Sequence, residues 1–132
     1  MKHLFFAIFI LLSNLYAFSL KVVNIYPNSI IQNSGLYIKK GEIVEITANG
    51  KWSLHEKYSP VGGEGHTAFK ANEYGNWGCL LGKIGNSDAF IIGNGTQISA
   101  KEEGVLYLYL NKDNYKIQNP TGFLEVSING GT

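Results

Sequence analysis

Oxygen-bearing side chains crowd into one short stretch of this 132-residue chain. Residues 111–121 read NKDNYKIQNPT and hold Asn111, Asp113, Asn114, Gln118 and Asn119 close together. A hard cation such as Ca²⁺ takes about six to eight oxygens from carboxylates, amides and main-chain carbonyls. A loop tied at both ends to strands could bring such groups to one point. Asp113 is the one carboxylate in the stretch, and Lys112 and Lys116 stand beside it. Two ammonium groups next to one carboxylate weaken the hold on a cation. The spacing is not that of an EF-hand. The same residues also make an ordinary polar turn, because Asn and Asp side chains bond the nearby backbone there.

A second stretch, 58–69 (YSPVGGEGHTAF), places His66 among glycines, where an accessible imidazole is expected. It could donate a hydrogen bond to a ligand hydroxyl or be a plain surface histidine. His55, Glu56, Glu64 and His66 are residue types that zinc takes, although no tight spacing links them. Trp52, Tyr58, Tyr74 and Trp77 flank the stretch. Aromatic faces can stack on the C–H face of a sugar, and aromatics at strand ends also form core edges. Enzyme constellations are missing: no G-x-S-x-G elbow, no H-E-x-x-H, no phosphate-binding glycine loop and no C-x-x-C occur. No pair of carboxylates is singled out for acid–base work, so a non-catalytic protein is expected.

The elements that must position these groups are strands. In 42–48 (EIVEITA), 105–110 (VLYLYL) and 123–129 (FLEVSIN), apolar and polar side chains alternate with period two. That pattern marks antiparallel sheet with one solvated face. Residues 21–25 (KVVNI), 79–84 (CLLGKI) and 89–92 (AFII) are further strand candidates. Turn dipeptides fall between them at Asn49–Gly50, Gly62–Gly63, Asn94–Gly95 and Gly130–Gly131. Short strands separated by such turns predict an all-β antiparallel sandwich. Stretches 53–76 and 111–121 resist assignment as strands and read as long loops.

The first residues have a different character. Lys2 and His3 precede an unbroken apolar run at 4–12 (LFFAIFILL), and small residues follow at Ala17 and Ser19. This is the order of a secretory signal, and the run is shorter than the roughly 20 residues a bilayer span needs. A signal over 1–19, cleaved after Ala17 or Ser19, and a single domain over 20–132 are therefore expected. The product would be exported, periplasmic or secreted, with no membrane segment left. Its removal would leave ten lysines against ten acids, and the chain contains no arginine, so a nucleic-acid partner is not expected. Cys79 is the only cysteine, so no internal disulfide can staple the domain. The hydrophobic core, a metal or homo-oligomerisation must hold it instead. In its apolar setting Cys79 reads as a core residue.

Four segments together carry a resemblance: 41–52 (GEIVEITANGKW), 59–66 (SPVGGEGH), 77–87 (WGCLLGKIGNS) and 106–128 (LYLYLNKDNYKIQNPTGFLEVSI). Over roughly residues 37–128 the chain resembles the LecA-type galactophilic bacterial lectins. These are β-sandwiches of galactose-binding-domain-like form that bind galactose through a calcium ion. The resemblance implies a galactose-type lectin module whose partner is a glycan and whose cofactor is Ca²⁺. It implies sugar contacts from His66, Asn119 and Asp113. It implies metal ligation by Asn119 and the main-chain carbonyl of Lys116, with Asp113 and Gln118 completing the set after a one-residue shift. Lys112 stands where the family has its calcium aspartate, and Pro120 stands where it has a second asparagine. Those departures leave open a second reading, a non-catalytic periplasmic or surface module that binds protein through the same sandwich.

Overall fold

The structure is a computed structural model, and it describes residues 20–112 and 116–132. The expected export signal at 1–19 and the predicted ligand Asp113 lie outside the described residues. Ten strands follow one another: β1 (Leu20–Ile25), β2 (Gln32–Ile38), β3 (Ile43–Ser53), β4 (His66–Asn72), β5 (Gly75–Trp77), β6 (Leu80–Ile84), β7 (Phe90–Ile91), β8 (Gly95–Ser99), β9 (Gly104–Leu110) and β10 (Thr121–Asn129). They form one four-stranded sheet in the order β1-β10-β3-β8, a second in the order β2-β9-β6-β7, and a small β4-β5 hairpin. All the pairings are antiparallel, as the alternating pattern predicts. No helix among the described residues is long and apolar enough to cross a membrane.

The two sheets close on the apolar sides of their strands. Val44, Ile46 and Ala48 of β3, Leu106, Leu108 and Leu110 of β9, and Leu124, Val126 and Ile128 of β10 are all buried. Their neighbours Glu45, Thr47 and Glu125 face water. Trp52 is completely buried at the end of β3, and its indole N–H donates to the Gly78 carbonyl at 3.1 Å. Cys79 lies in the core as its surroundings predict, and burial pushes its thiol pKa up.

Four strands depart from the expected set. β2 (QNSGLYI) carries a bulge between Asn33 and Tyr37, with Gly35 at φ 78°, which breaks the alternation that sequence reading depends on. β8 is short and starts directly at the Asn94–Gly95 turn. The stretch 53–76 is not one loop. It contains most of the β4–β5 hairpin, whose register shifts twice, and an isolated bridge between Trp52 and Val61. The 62–63 glycine pair serves close packing there. A Cβ on Gly63 would stand 2.1 Å from the Gly93 carbonyl oxygen, so only glycine lets these two main chains touch.

Candidate functional site

Beyond the end of β3, the residues after Trp52 meet the segment that leads into β10. Gln118 N–H donates to the Leu54 carbonyl at 2.9 Å, and Glu56 N–H donates to the Gln118 carbonyl at 3.2 Å. These bonds make a parallel bridge between His55 and Gln118. Ile117 packs against the core and anchors the segment from below. The polar loop is thus tied to the core by one apolar side chain and to its neighbour by two main-chain bonds.

Glu56 then clasps the loop through its side chain. Gln118 Nε2 donates to Glu56 Oε1 at 2.9 Å, and Asn119 Nδ2 donates to Glu56 Oε2 at 2.8 Å. Each amide therefore donates one N–H to the same carboxylate. Their carbonyl oxygens are turned away from it, and no hydrogen bond to a described residue engages them. Asn119 adopts φ 50°, a left-handed conformation uncommon outside glycine, and the clasp helps to hold it there. Lys112, Lys116, Asn119 and Pro120 are exposed.

A wall of aromatic rings stands on the other side of His55. His66 is the first residue of β4 and pairs with Trp77 of β5, so its imidazole stacks on the Trp77 indole at 4.9 Å and 22°. Tyr58 sets its edge against His55, His66, Phe69 and Trp77, with centroids 5.4, 5.8, 5.6 and 5.9 Å away. Tyr58 is itself 44% exposed, so it forms the outer surface of the cluster. His66 is not the accessible loop histidine its glycine-rich surroundings suggest. It is part-buried, and its Nε2 is shut off from water without a hydrogen-bond partner. The cause is its place in a strand pair, which fixes the ring against Trp77. Desolvation lowers its pKa and keeps the imidazole neutral near pH 7.

The predicted site residues are therefore brought together in part. Gln118, Asn119 and the Lys116 main chain share one corner. His66 joins them only through His55 and Tyr58, and no hydrogen bond links it to Asn119. Asn111 is withdrawn from the set. It is buried, it exchanges amide hydrogen bonds with Asn72 at 2.7 and 3.0 Å, and it also donates to the carbonyls of Gly75 and Asn76. Zinc finds no site either: the described residues contain no group of three His, Cys, Asp or Glu side chains that could hold a metal. Glu64, one of the four zinc-type residues, is engaged elsewhere. Burial opposes its ionisation, yet main-chain N–H groups, the Asn94 amide and the charge of Lys51 outweigh it and lower its pKa.

Sequence reasoning missed Glu56 as a partner of this loop. It stands 62 positions from Gln118, and nothing in local spacing joins the two. The donors gathered here are all oxygens: the free amide carbonyls of Gln118 and Asn119, main-chain carbonyls and the Glu56 carboxylate. That chemistry suits a hard cation such as calcium and no soft metal.

No protein-family model matches this chain, and no curated protein sequence matches it. Among solved structures, it superposes on the EclA N-terminal domain, described as a PllA-like lectin. The TM-score is 0.69 and the identity 22%, over 84% of this chain and 97% of that one. A functionally unknown conserved protein mutant from Bacillus anthracis is matched at TM-score 0.45 and 20% identity, over 86% of this chain and 22% of that one. The second likeness is too loose to argue from. The first shows that the frame is that of a lectin-like all-β fold.

Proposed function

We propose that this chain is an exported, non-catalytic carbohydrate-binding module that takes galactose-like glycans with the help of calcium. The observation that carries this reading is the Glu56 clasp, which commits the N–H groups of Gln118 and Asn119 and leaves both amide oxygens open. Asp113, Gln118, Asn119 and the Lys116 carbonyl would hold the ion, and Glu56 adds negative charge beside them. When bound, calcium supplies coordination positions for neighbouring sugar hydroxyls. Asn119 and Asp113 would also meet the sugar directly. His66 offers the neutral imidazole whose Nε2 lacks a partner, and a hydroxyl reaching it would satisfy that atom once the Tyr58 ring swings aside. Such a bond between neutral groups contributes about 1 kcal/mol net, so affinity per site is modest. The lectin-like frame supports the reading at the level of the fold.

Isothermal titration with galactosides, with and without chelator, tests it. Heat that appears only without chelator is the expected result. No heat in either condition removes the sugar reading, and equal heat in both removes the metal. The occlusion of His66 Nε2 and the exposed lysines at 112 and 116 favour one competitor, a protein-interaction module on the same sandwich. A blank glycan array alongside a specific protein pull-down would select that competitor.

A further inference from the structure

The outer face of the β1-β10-β3-β8 sheet carries an aromatic pair that the core does not use. Phe123 of β10 is 43% exposed and Tyr26, just past β1, is 47% exposed, with ring centroids 5.7 Å apart. A long apolar side chain at an outward position of a central strand is placed against the solvent pattern that Glu125 and Ser127 keep on the same strand. Beside the rings lies an open groove of about 390 Å³ lined by Asn49, Gly50, Lys51, Gly122, Phe123 and Glu125. Lys51 pairs with Phe123 across the sheet, and Asn49 pairs with Glu125. Gly50 and Gly122, both at positive φ, let the two main chains close in here, and neither raises a side chain into the groove.

We infer that this ledge is a second saccharide subsite, which takes further sugar units of a glycan whose end is held at the 111–121 loop. The inference rests on the carbohydrate reading of that loop and extends it. Phe123 follows Asn119 by four residues, a span of at most about 14 Å, which is within the length of one short oligosaccharide. The groups around the rings suit a neutral polyol. Asn49 both donates and accepts, Lys51 donates and Glu125 accepts. No hydrogen bond to a described residue occupies these three side chains. One cation and one anion line the groove, and Lys51 also faces the charge of Glu64. Leu20, Val22 and Ile43 are exposed further along the same face, so a second copy of the chain is the competing occupant that the test must separate.

The test is an amide-resolved NMR titration of the protein in calcium buffer, with galactose and with a linear β-1,4-linked galactotetraose as probes. The tetraose is expected to shift Gly50, Gly122 and Phe123 as well as Gln118 and Asn119, while galactose shifts the loop alone. The ring's contribution predicts that tetraose binds about tenfold tighter than galactose. Phe123→Ala and Asn49→Ala should each shrink that gain and leave galactose affinity unchanged. Asn49 is exposed, so its variant keeps the test valid if Phe123→Ala unfolds. Tetraose shifts confined to the loop would overturn the subsite and spare the loop reading. Loop amides silent towards both sugars would end the loop reading, and with it the extended site. Ledge amides that move with protein concentration and no sugar would identify a self-association face and overturn the proposal.

Discussion

Substituting Glu56 separates two things the loop needs: bracing and charge. In Glu56→Ala, Gln118 and Asn119 lose the acceptor of both their N–H groups. Hydrogen bonds to a charged group contribute about 1.5–3 kcal/mol each when sheltered. Glu56 is exposed, so water replaces most of that, and a combined loss of about 1 kcal/mol is the reasonable expectation. For a domain of this size that lowers Tm by about 4 °C. Glu56→Gln should fare little better, because the new amide turns an N–H₂ towards one of the two donors it must receive. Calcium gives the second readout. At about 10 mM, an ion held with Kd on the order of 1 mM stabilises the native protein by about 1.4 kcal/mol. Thermal melts of wild type and both variants, in calcium and in EDTA, measure all of this together. Wild type should melt higher in calcium, and the variants should melt lower in EDTA and respond less to calcium. A Glu56→Ala protein that melts with wild type in EDTA would refute the brace. A wild type indifferent to calcium would refute the ion.

Three further outcomes follow from the packing. Burial lowers the His66 pKa below its unfolded value of about 6.5, so the unfolded chain binds the proton first, and stability from this group is present above that pH and lost as pH falls through it towards the folded pKa. His66→Phe should flatten this part of the dependence, which urea denaturation at pH 7.5, 6.5 and 5.5 would reveal. Gly63→Ala must push the 59–66 stretch off the Gly93 carbonyl, and a loss of about 3 kcal/mol is expected in the same denaturation assay. The Cys79 thiol, buried and raised in pKa, should resist a colorimetric thiol reagent in the native protein and react fully in denaturant. Rapid native labelling would mean that the β4–β5 hairpin opens readily.

What could be read from the residues divides along the distance between partners. The strands that form most of the core announce themselves, because alternation in 105–110 and 123–129 is a property of each strand alone. Even the burial of Cys79 follows from its immediate neighbours. β2 escapes because Gly35 inserts a bulge, and a bulge shifts the phase of the signal being read. The hairpin of β4 and β5 escapes for the same reason, with two register shifts in seven residues.

The candidate site is harder, because its chemistry is made by residues that sequence separates. Asn119 and Gln118 are visible as oxygen donors within the loop, but which of their atoms remain free depends on Glu56, contributed by the turn that follows β3. Glycines around His66 suggest exposure, yet its pairing with Trp77 decides the opposite. Both corrections have one physical origin. A side chain's composition sets which bonds it can make, and the strand pairing sets which of those bonds are already spent. For Asn111 those bonds engage both ends of the amide; for Gln118 and Asn119 they take one N–H each and spare the acceptors. The acceptors are what an oxygen-seeking cation requires, and so the proposed ion site rests on a carboxylate outside the loop.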